Sequence, residues 1–302
     1  MINRLKKVKL KGNESFNFRE GWLRKGMRLV NKHEDLFTRD DVMEQLGVGS
    51  KMVKSIRYWL QATGLCEEKY VNSGRSRAQY LTKDFGEIVY KWDPYFDDSF
   101  TLSLVHYYIV SNEDLCIVWN IFFNEFEGID FTKDDMVKIC WDKLRKKMDE
   151  GVTFSESSFS DDCSSVIRMY LKADLIDDPE ESLGCPLADL GMLQKGGKTK
   201  NTLNKSAPTR RNLDKLAIFY VIVKNLQKGK NSISIDDLIT APNNIGKVFN
   251  LNRILINEYL DQLRISGYLT INRTAGLNMV YVDNQMQPED ILTEYYEKAQ
   301  VR

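Results

Sequence analysis

Histidine is almost missing from this chain: His33 and His106 are the only two among 302 residues. The five cysteines, Cys66, Cys116, Cys140, Cys163 and Cys185, are scattered and odd in number, and none belongs to a Cys-x-x-Cys pair. A structural zinc site needs clustered Cys and His ligands, so no metal is expected, and no cofactor is indicated. Cys185 has no neighbouring His and reads as packing rather than as a nucleophile. Scattered thiols fit a reducing cytoplasm. No apolar run approaches the roughly 20 residues that span a bilayer, so no membrane contact is expected. The basic start, Met1 to Leu10, lacks the apolar stretch and cleavage site of a secretory signal.

Catalytic motifs are also lacking. There is no phosphate-cradling glycine loop, no Gly-x-Gly-x-x-Gly and no Gly-x-Ser-x-Gly elbow. The acidic pairs Asp134-Asp135, Asp161-Asp162 and Asp177-Asp178 are adjacent in sequence. Neighbouring helical residues diverge by about 100°, so such pairs do not converge on one ion unaided. The chain is therefore expected to bind rather than catalyse.

A formal net charge of zero hides a strong polarity. Residues 1–90 hold 18 Lys and Arg against 11 Asp and Glu, a net +7. Residues 91–190 hold 9 against 22, a net −13, and residues 191–302 hold 16 against 10, a net +6. Basic ends suit a polyanion. The acidic middle would repel DNA and is better suited to a protein partner.

Phe37 to Gly86 supplies the most specific pattern. Phe37-Thr38-Arg39-Asp40-Asp41-Val42-Met43-Glu44-Gln45-Leu46 reads as a helix, with Thr38 as its cap and Asp40 and Asp41 in its first turn. Gly47-Val48-Gly49 breaks it, and a second helix runs from Ser50 to Ala62, stopped by Gly64. Met52, Val53, Ile56, Trp59 and Leu60 fall on one apolar face. The opposite face carries Lys51, Lys54, Ser55, Tyr58 and Gln61, with Arg57 on its flank, which can grip phosphates or read base edges. Leu65 to Tyr70, an Asn72-Ser73-Gly74-Arg75-Ser76 turn and Arg77 to Thr82 then form a hairpin, or wing, with Arg75 and Arg77 at its tip. Helix, glycine turn, helix and wing make a winged helix-turn-helix. Tyr80-Leu81-Thr82-x-x-x-Gly86 resembles the end of a wing in bacterial winged-helix regulators.

Around this unit, Phe16 to Val30 reads as a supporting helix, whose Arg24, Lys25 and Arg28 are secondary candidates for phosphate contact. Residues 100–127 predict two buried helices broken near Ser111-Asn112. Phe131 to Val137 echoes Phe37 to Met43, and Ile167 to Ala173 echoes Ile56 to Ala62, which leaves a degenerate helix-turn-helix and a chance likeness as alternatives. Gln194 to Asn212, basic and without an acidic residue, reads as a linker or mobile loop, with Arg210 and Arg211 as further phosphate candidates. Residues 213–302 repeat the theme: an apolar helix, a short Ser234-capped helix, a longer helix capped by Asn250 or Asn252, and a second hairpin. Arg253 and Arg273 are its DNA-facing candidates, but Glu258 and Asp261 dilute them.

Glu20-Gly21-Trp22-Leu23-Arg24-Lys25-Gly26, Leu46-Gly47-Val48-Gly49-x-x-Met52-Val53-x-Ser55-Ile56-Arg57-Tyr58-Trp59, and Cys185-Pro186-Leu187 together resemble an uncharacterised prokaryotic family. Its genes often stand beside phosphosulfate-reductase-like and DNA-phosphorothioation genes in phage-defence islands. The resemblance implies a setting, DNA modification or defence, and carries over no catalytic residues.

The expected architecture is mainly α with small β-hairpin wings: tandem winged helix-turn-helix domains at 1–95 and 213–302, joined by an acidic helical middle domain at 96–193 and a basic linker at 194–212. The expected function is duplex DNA binding through Lys51, Lys54, Ser55, Arg57, Tyr58, Gln61, Arg75 and Arg77. The acidic middle would recruit a protein, and a homodimer is open. A protein-interaction adaptor and a dimeric transcription regulator are the alternatives.

Overall fold

A computed structural model describes residues 4–172, 184–196, 201–273, 278–283 and 286–300. It is mainly helical with small antiparallel sheets, as the sequence predicts. Helix α1 (Trp22–Lys32) buries Leu23, Met27 and Val30 on one face. A 3-10 turn at Leu36–Thr38 leads to α2 (Val42–Leu46), which starts later than expected. Thr38 does not cap it, because its hydroxyl donates backward to the Asp35 carbonyl at 2.8 Å. Asp41 precedes the helix instead and receives Arg39 and Gln45, which hold its carboxyl down to about 2.

Helix α3 spans Ser50–Ala62, the predicted bounds. Gly64 turns the chain with φ 72, a conformation that L side chains resist. Strands β1 (Cys66–Val71) and β2 (Ser76–Leu81) pair antiparallel with Tyr70 opposite Arg77. The turn between them holds Asn72, Ser73 and Gly74 at positive φ. Thr82 closes the hairpin onto the helix: its hydroxyl donates to the Gly64 carbonyl at 2.6 Å and accepts the Gly86 amide at 2.8 Å. A Cβ at Gly86 would stand 2.0 Å from the Leu65 carbonyl oxygen, so the spacing from Thr82 to glycine reflects a close backbone approach.

Helix α4 (Gly86–Trp92) leads into two buried helices, α5 (Ser99–Ser111) and α6 (Ile117–Asn124), broken where the sequence predicts. Helices α7 (Lys133–Lys147) and α8 (Glu156–Tyr170) follow. Thr132 and Asp135 form a capping box at the start of α7. The echo of Phe37 to Met43 thus opens a helix of 15 residues here, whereas α2 has 5. The segment corresponding to Ala173 lies outside the described residues.

The described parts of the stretch expected as a basic linker, residues 194–196 and 201–212, are tied down. Strands β3 (Leu193–Lys195) and β4 (Leu203–Lys205) pair, and Leu203 also bridges Phe131. Leu203 is buried, and the Lys205 ammonium sits below α6, donating to the carbonyls of Phe122, Phe123 and Phe126 at 2.9, 3.3 and 3.1 Å. Those carbonyls lie at the negative end of a helix, which a cation satisfies.

The C-terminal part comprises α9 (Lys215–Lys224), β5 (Ser232–Ser234), α10 (Ile235–Thr240), α11 (Ile245–Val248) and α12 (Arg253–Ile265). Strands β6 (Leu269–Asn272) and β7 (Met279–Val282) follow, with sheet order β5-β7-β6. Asp214, Ser234 and Asn252 cap α9, α10 and α12. The tip of the second hairpin falls outside the described residues. Helix α13 (Pro288–Gln300) packs on both α9 and α4, so the last element described meets the end of the first unit. One continuous apolar core runs from Phe18 to Tyr296. Among the described residues no helix is long and apolar enough to cross a membrane.

Candidate nucleic-acid interface

Helix α3 and the β1–β2 hairpin each carry exposed cations. Ser50, Lys51 and Lys54 are exposed along the first turns of α3, and Arg75 and Arg77 are exposed on the hairpin. Among the described residues nothing pairs with Lys51 or Arg75, while Lys54 lies 3.8 Å from Glu14. Gln61 is half-buried and donates to the Arg57 carbonyl at 3.1 Å, at the far end of the helix.

Ser55 and Tyr58 do not belong to this surface, which corrects the sequence expectation. Both are buried. The Ser55 hydroxyl donates to the Phe16 carbonyl at 3.1 Å, and Trp59 Nε1 donates to the same oxygen at 2.8 Å. The Tyr58 phenol donates to the Leu115 carbonyl at 2.7 Å and lies 3.2 Å from Cys116 Sγ, and burial pushes its pKa up. A helix packed on two sides, by α1 and by the residue 112–117 loop, has only a narrow exposed strip. A helical wheel that assumes one core face misplaces the second.

Arg57 is not free either. Its Nε donates to Glu68 Oε2 at 2.8 Å, and Arg77 Nη1 reaches Glu68 Oε1 at 3.3 Å. Glu68 is 17% exposed, so one largely sheltered carboxylate links the second helix to the hairpin and holds two guanidiniums. Glu68 and Tyr70 are residues the sequence reading missed. Strand alternation could have found them, since Tyr70 stands directly opposite Arg77 and Glu68 lies two residues back on the same face. Tyr70 is exposed, with the Arg77 guanidinium 5.0 Å from its ring centre.

The secondary candidates separate by partner. Arg28 is exposed without a partner among the described residues. Arg24 lies over the Tyr95 ring at 3.6 Å, and Lys25 donates to the Leu46 carbonyl at 2.9 Å, at the C-terminus of α2. Towards the C-terminus three of the four candidates are engaged. Arg210 bonds Glu258, Arg253 bonds Asp236, and Arg273 donates to Asn257 at 3.0 Å with Asp261 at 3.9 Å. Helix α12 exposes Ile254 and Ile265 instead, 70% and 78% accessible.

Arg211 lines a cleft of about 990 Å³ together with Asp93, Asp97, Asp98 and Asp189. Two of the carboxylates there have structural work. Asp93 is buried and accepts the amides of Asp97 and Asp98 at 3.0 and 3.2 Å plus the Thr101 hydroxyl. Asp98 caps α5 through the Phe100 amide and receives the Tyr295 phenol at 2.9 Å. Among the described residues no group of three or more His, Cys, Asp or Glu is arranged to hold a metal ion. All five cysteines are buried and free, and burial pushes the thiols of Cys116 and Cys140 up to about 12. Cys185 is packed in the core, as its sequence context suggests.

The fold has solved counterparts. Magnesium ion-bound SspB superposes with a TM-score of 0.83 at 25% identity, covering 97% of this chain and 89% of that one. A second SspB crystal structure gives 0.84 at 24% identity, with coverages of 100% and 92%. No curated protein matches the sequence. The model of DUF4007, a protein family of unknown function, matches residues 10–296, and the chain belongs to that family.

Proposed function

We propose that the protein binds duplex DNA in a bacterial DNA-modification or phage-defence system, and that α2, the glycine turn, α3 and the β1–β2 hairpin act as a winged helix-turn-helix. One observation carries the reading: Lys51, Lys54, Arg75 and Arg77 are presented outward on a helix and the hairpin beside it. In a helix-turn-helix the N-terminal residues of the second helix approach base edges, and flanking cations meet phosphates. The resemblance to a family encoded beside DNA-phosphorothioation genes supports the setting, and two SspB crystal structures share the fold. Sequence- or modification-directed recognition, without a reaction of its own, is the role assigned to this chain.

In this reading the C-terminal unit is a second, weaker winged helix joined through the helical middle. Its paired cations and the exposed Ile254 and Ile265 on α12 favour docking of protein over DNA there. This is the adaptor reading confined to one end of the molecule.

Charge reversal tests the main proposal. Lys51→Glu with Lys54→Glu should weaken duplex binding about tenfold to a hundredfold at moderate salt, through two lost phosphate contacts. A salt titration on plain and phosphorothioated duplexes reads both affinity and preference. Unchanged affinity in the folded double variant would sink the DNA reading.

A further inference from the structure

Residues 4–18 pass between α3 and the acidic middle helices as a strap. At its start Leu5 pairs with the end of α7: its amide donates to the Lys147 carbonyl at 2.8 Å, and the Asp149 amide donates to the Leu5 carbonyl at 3.0 Å. Further on, the Lys11 amide donates to Asp162 at 3.0 Å and its ammonium pairs with Asp161 at 2.8 Å. Asn13 donates to Ser165, and Phe16 offers its carbonyl to Ser55 and Trp59 of α3. Leu5, Val8 and Leu10 pack against the core, and Arg4, Lys6, Lys7 and Lys9 are exposed.

The two ends of the strap meet cations. At the α3 end, Glu14 lies 3.8 Å from Lys54, and Lys9 stands 5.8 Å from the ring of Tyr58. At the other end, Arg4 shares a groove of about 630 Å³ with Arg145, Lys146 and the half-buried Trp141. Asp149 and Glu150 line the same groove, yet cations remain in excess there. Between Leu5 and Lys11 the strap can extend at most about 20 Å, roughly six base-pair steps along a duplex.

We propose that Arg4, Lys6, Lys7 and Lys9 of the strap, with Arg145 and Lys146 of α7, form a second phosphate track that continues the α3 surface along the same DNA. The strap carries positive charge across an edge of the middle region whose overall charge would repel DNA. Backbone contacts of this kind lengthen the footprint and add affinity without sequence preference. The inference rests on the DNA-binding reading of α3.

The test compares duplexes of about 10 and about 20 base pairs, one and two helical turns. The wild-type full chain should bind the longer duplex at least tenfold more tightly than the shorter. Arg145→Glu with Lys146→Glu should abolish most of that gain and lower the salt slope on the long duplex by about two. The milder Arg145→Gln with Lys146→Gln should do half as much in a chain whose melting is unchanged. Binding of the short duplex should stay as in wild type for both variants. A length gain that survives these substitutions overturns the track, as does equal weakening on both duplexes. Failure of the wild type to bind either duplex overturns the DNA reading itself, and the track with it.

Discussion

Arg57 of α3 and Glu68 of β1 are joined by a 2.8 Å hydrogen bond, a side-chain tie between the helix and the hairpin. Glu68 also holds Arg77, so two guanidiniums share one negative charge. Glu68→Gln should leave the site with one more net positive charge. Duplex affinity at low salt should rise severalfold and the salt slope should steepen by about one. Stability should fall by about 1 kcal/mol, since a charge-assisted contact becomes a neutral one. Fluorescence anisotropy and thermal melting measure the two effects, and an unchanged salt slope would show that the arginines do not meet phosphate.

Tyr58→Phe separates packing from recognition. The substitution leaves the Leu115 carbonyl without its donor inside the protein, at a cost of about 1–2 kcal/mol. DNA affinity of the folded variant should match wild type, because the phenol faces the loop at residues 112–117. A selective loss of binding, with stability intact, would place Tyr58 back on the DNA surface.

Gly86→Ala should be among the more damaging single-methyl changes. The new Cβ would stand 2.0 Å from a backbone oxygen, which cannot swing aside like the tip of a side chain. Overpacking typically costs about 1–3 kcal/mol, and here the upper end applies. Denaturant unfolding should show the loss, and a change within error would mean that the α3–hairpin junction yields easily.

Lys205 gives a pH signature. Burial pulls its ammonium down to about 7 from an ordinary 10.5, despite the three carbonyls it faces. A cation with a lowered native pKa destabilises the fold while it must stay charged. Between pH 7 and 10.5 the unfolded chain binds more protons, so stability rises with pH through that window. From pH 7 to about 8.5, below most thiol ionisation, this lysine should add up to about 1.4 kcal/mol per pH unit. Lys205→Met should remove that increment from the unfolding free energy measured across the window. Equal slopes in the two proteins would mean that the carbonyls keep the ammonium charged.

Local signals made the helices and hairpin near the proposed interface legible in sequence. Ser50 to Ala62 is bounded by Gly49 and Gly64, and the presence of the hairpin follows from the Asn72-Ser73-Gly74 turn, though Ser76 belongs to its second strand rather than to the turn. What escaped depends on distant chain. Ser55 and Tyr58 look polar and outward on a wheel, and only Phe16 and Leu115 in space reveal them as interior. Lys205 reads as one more linker cation until α6 presents its carbonyls. Arg253 and Arg273 look like DNA ligands until their carboxylates are placed beside them. A sequence indicates which side chains are charged more readily than which charges are already spent on neighbours.

The packing of α13 on α4 and α5 also sets a timetable for biogenesis. Phe100 is fully buried, and its stacking partner Tyr295 lies 3.7 Å away between ring centres. Thr101 waits across 195 residues for the Tyr296 hydroxyl. At synthesis rates of about 5–20 residues per second, that interval lasts about 10–40 s. For all of it the nascent chain displays an uncovered aromatic face, so the emerging N-terminal half has to be sheltered, or stay loose, until its cover arrives.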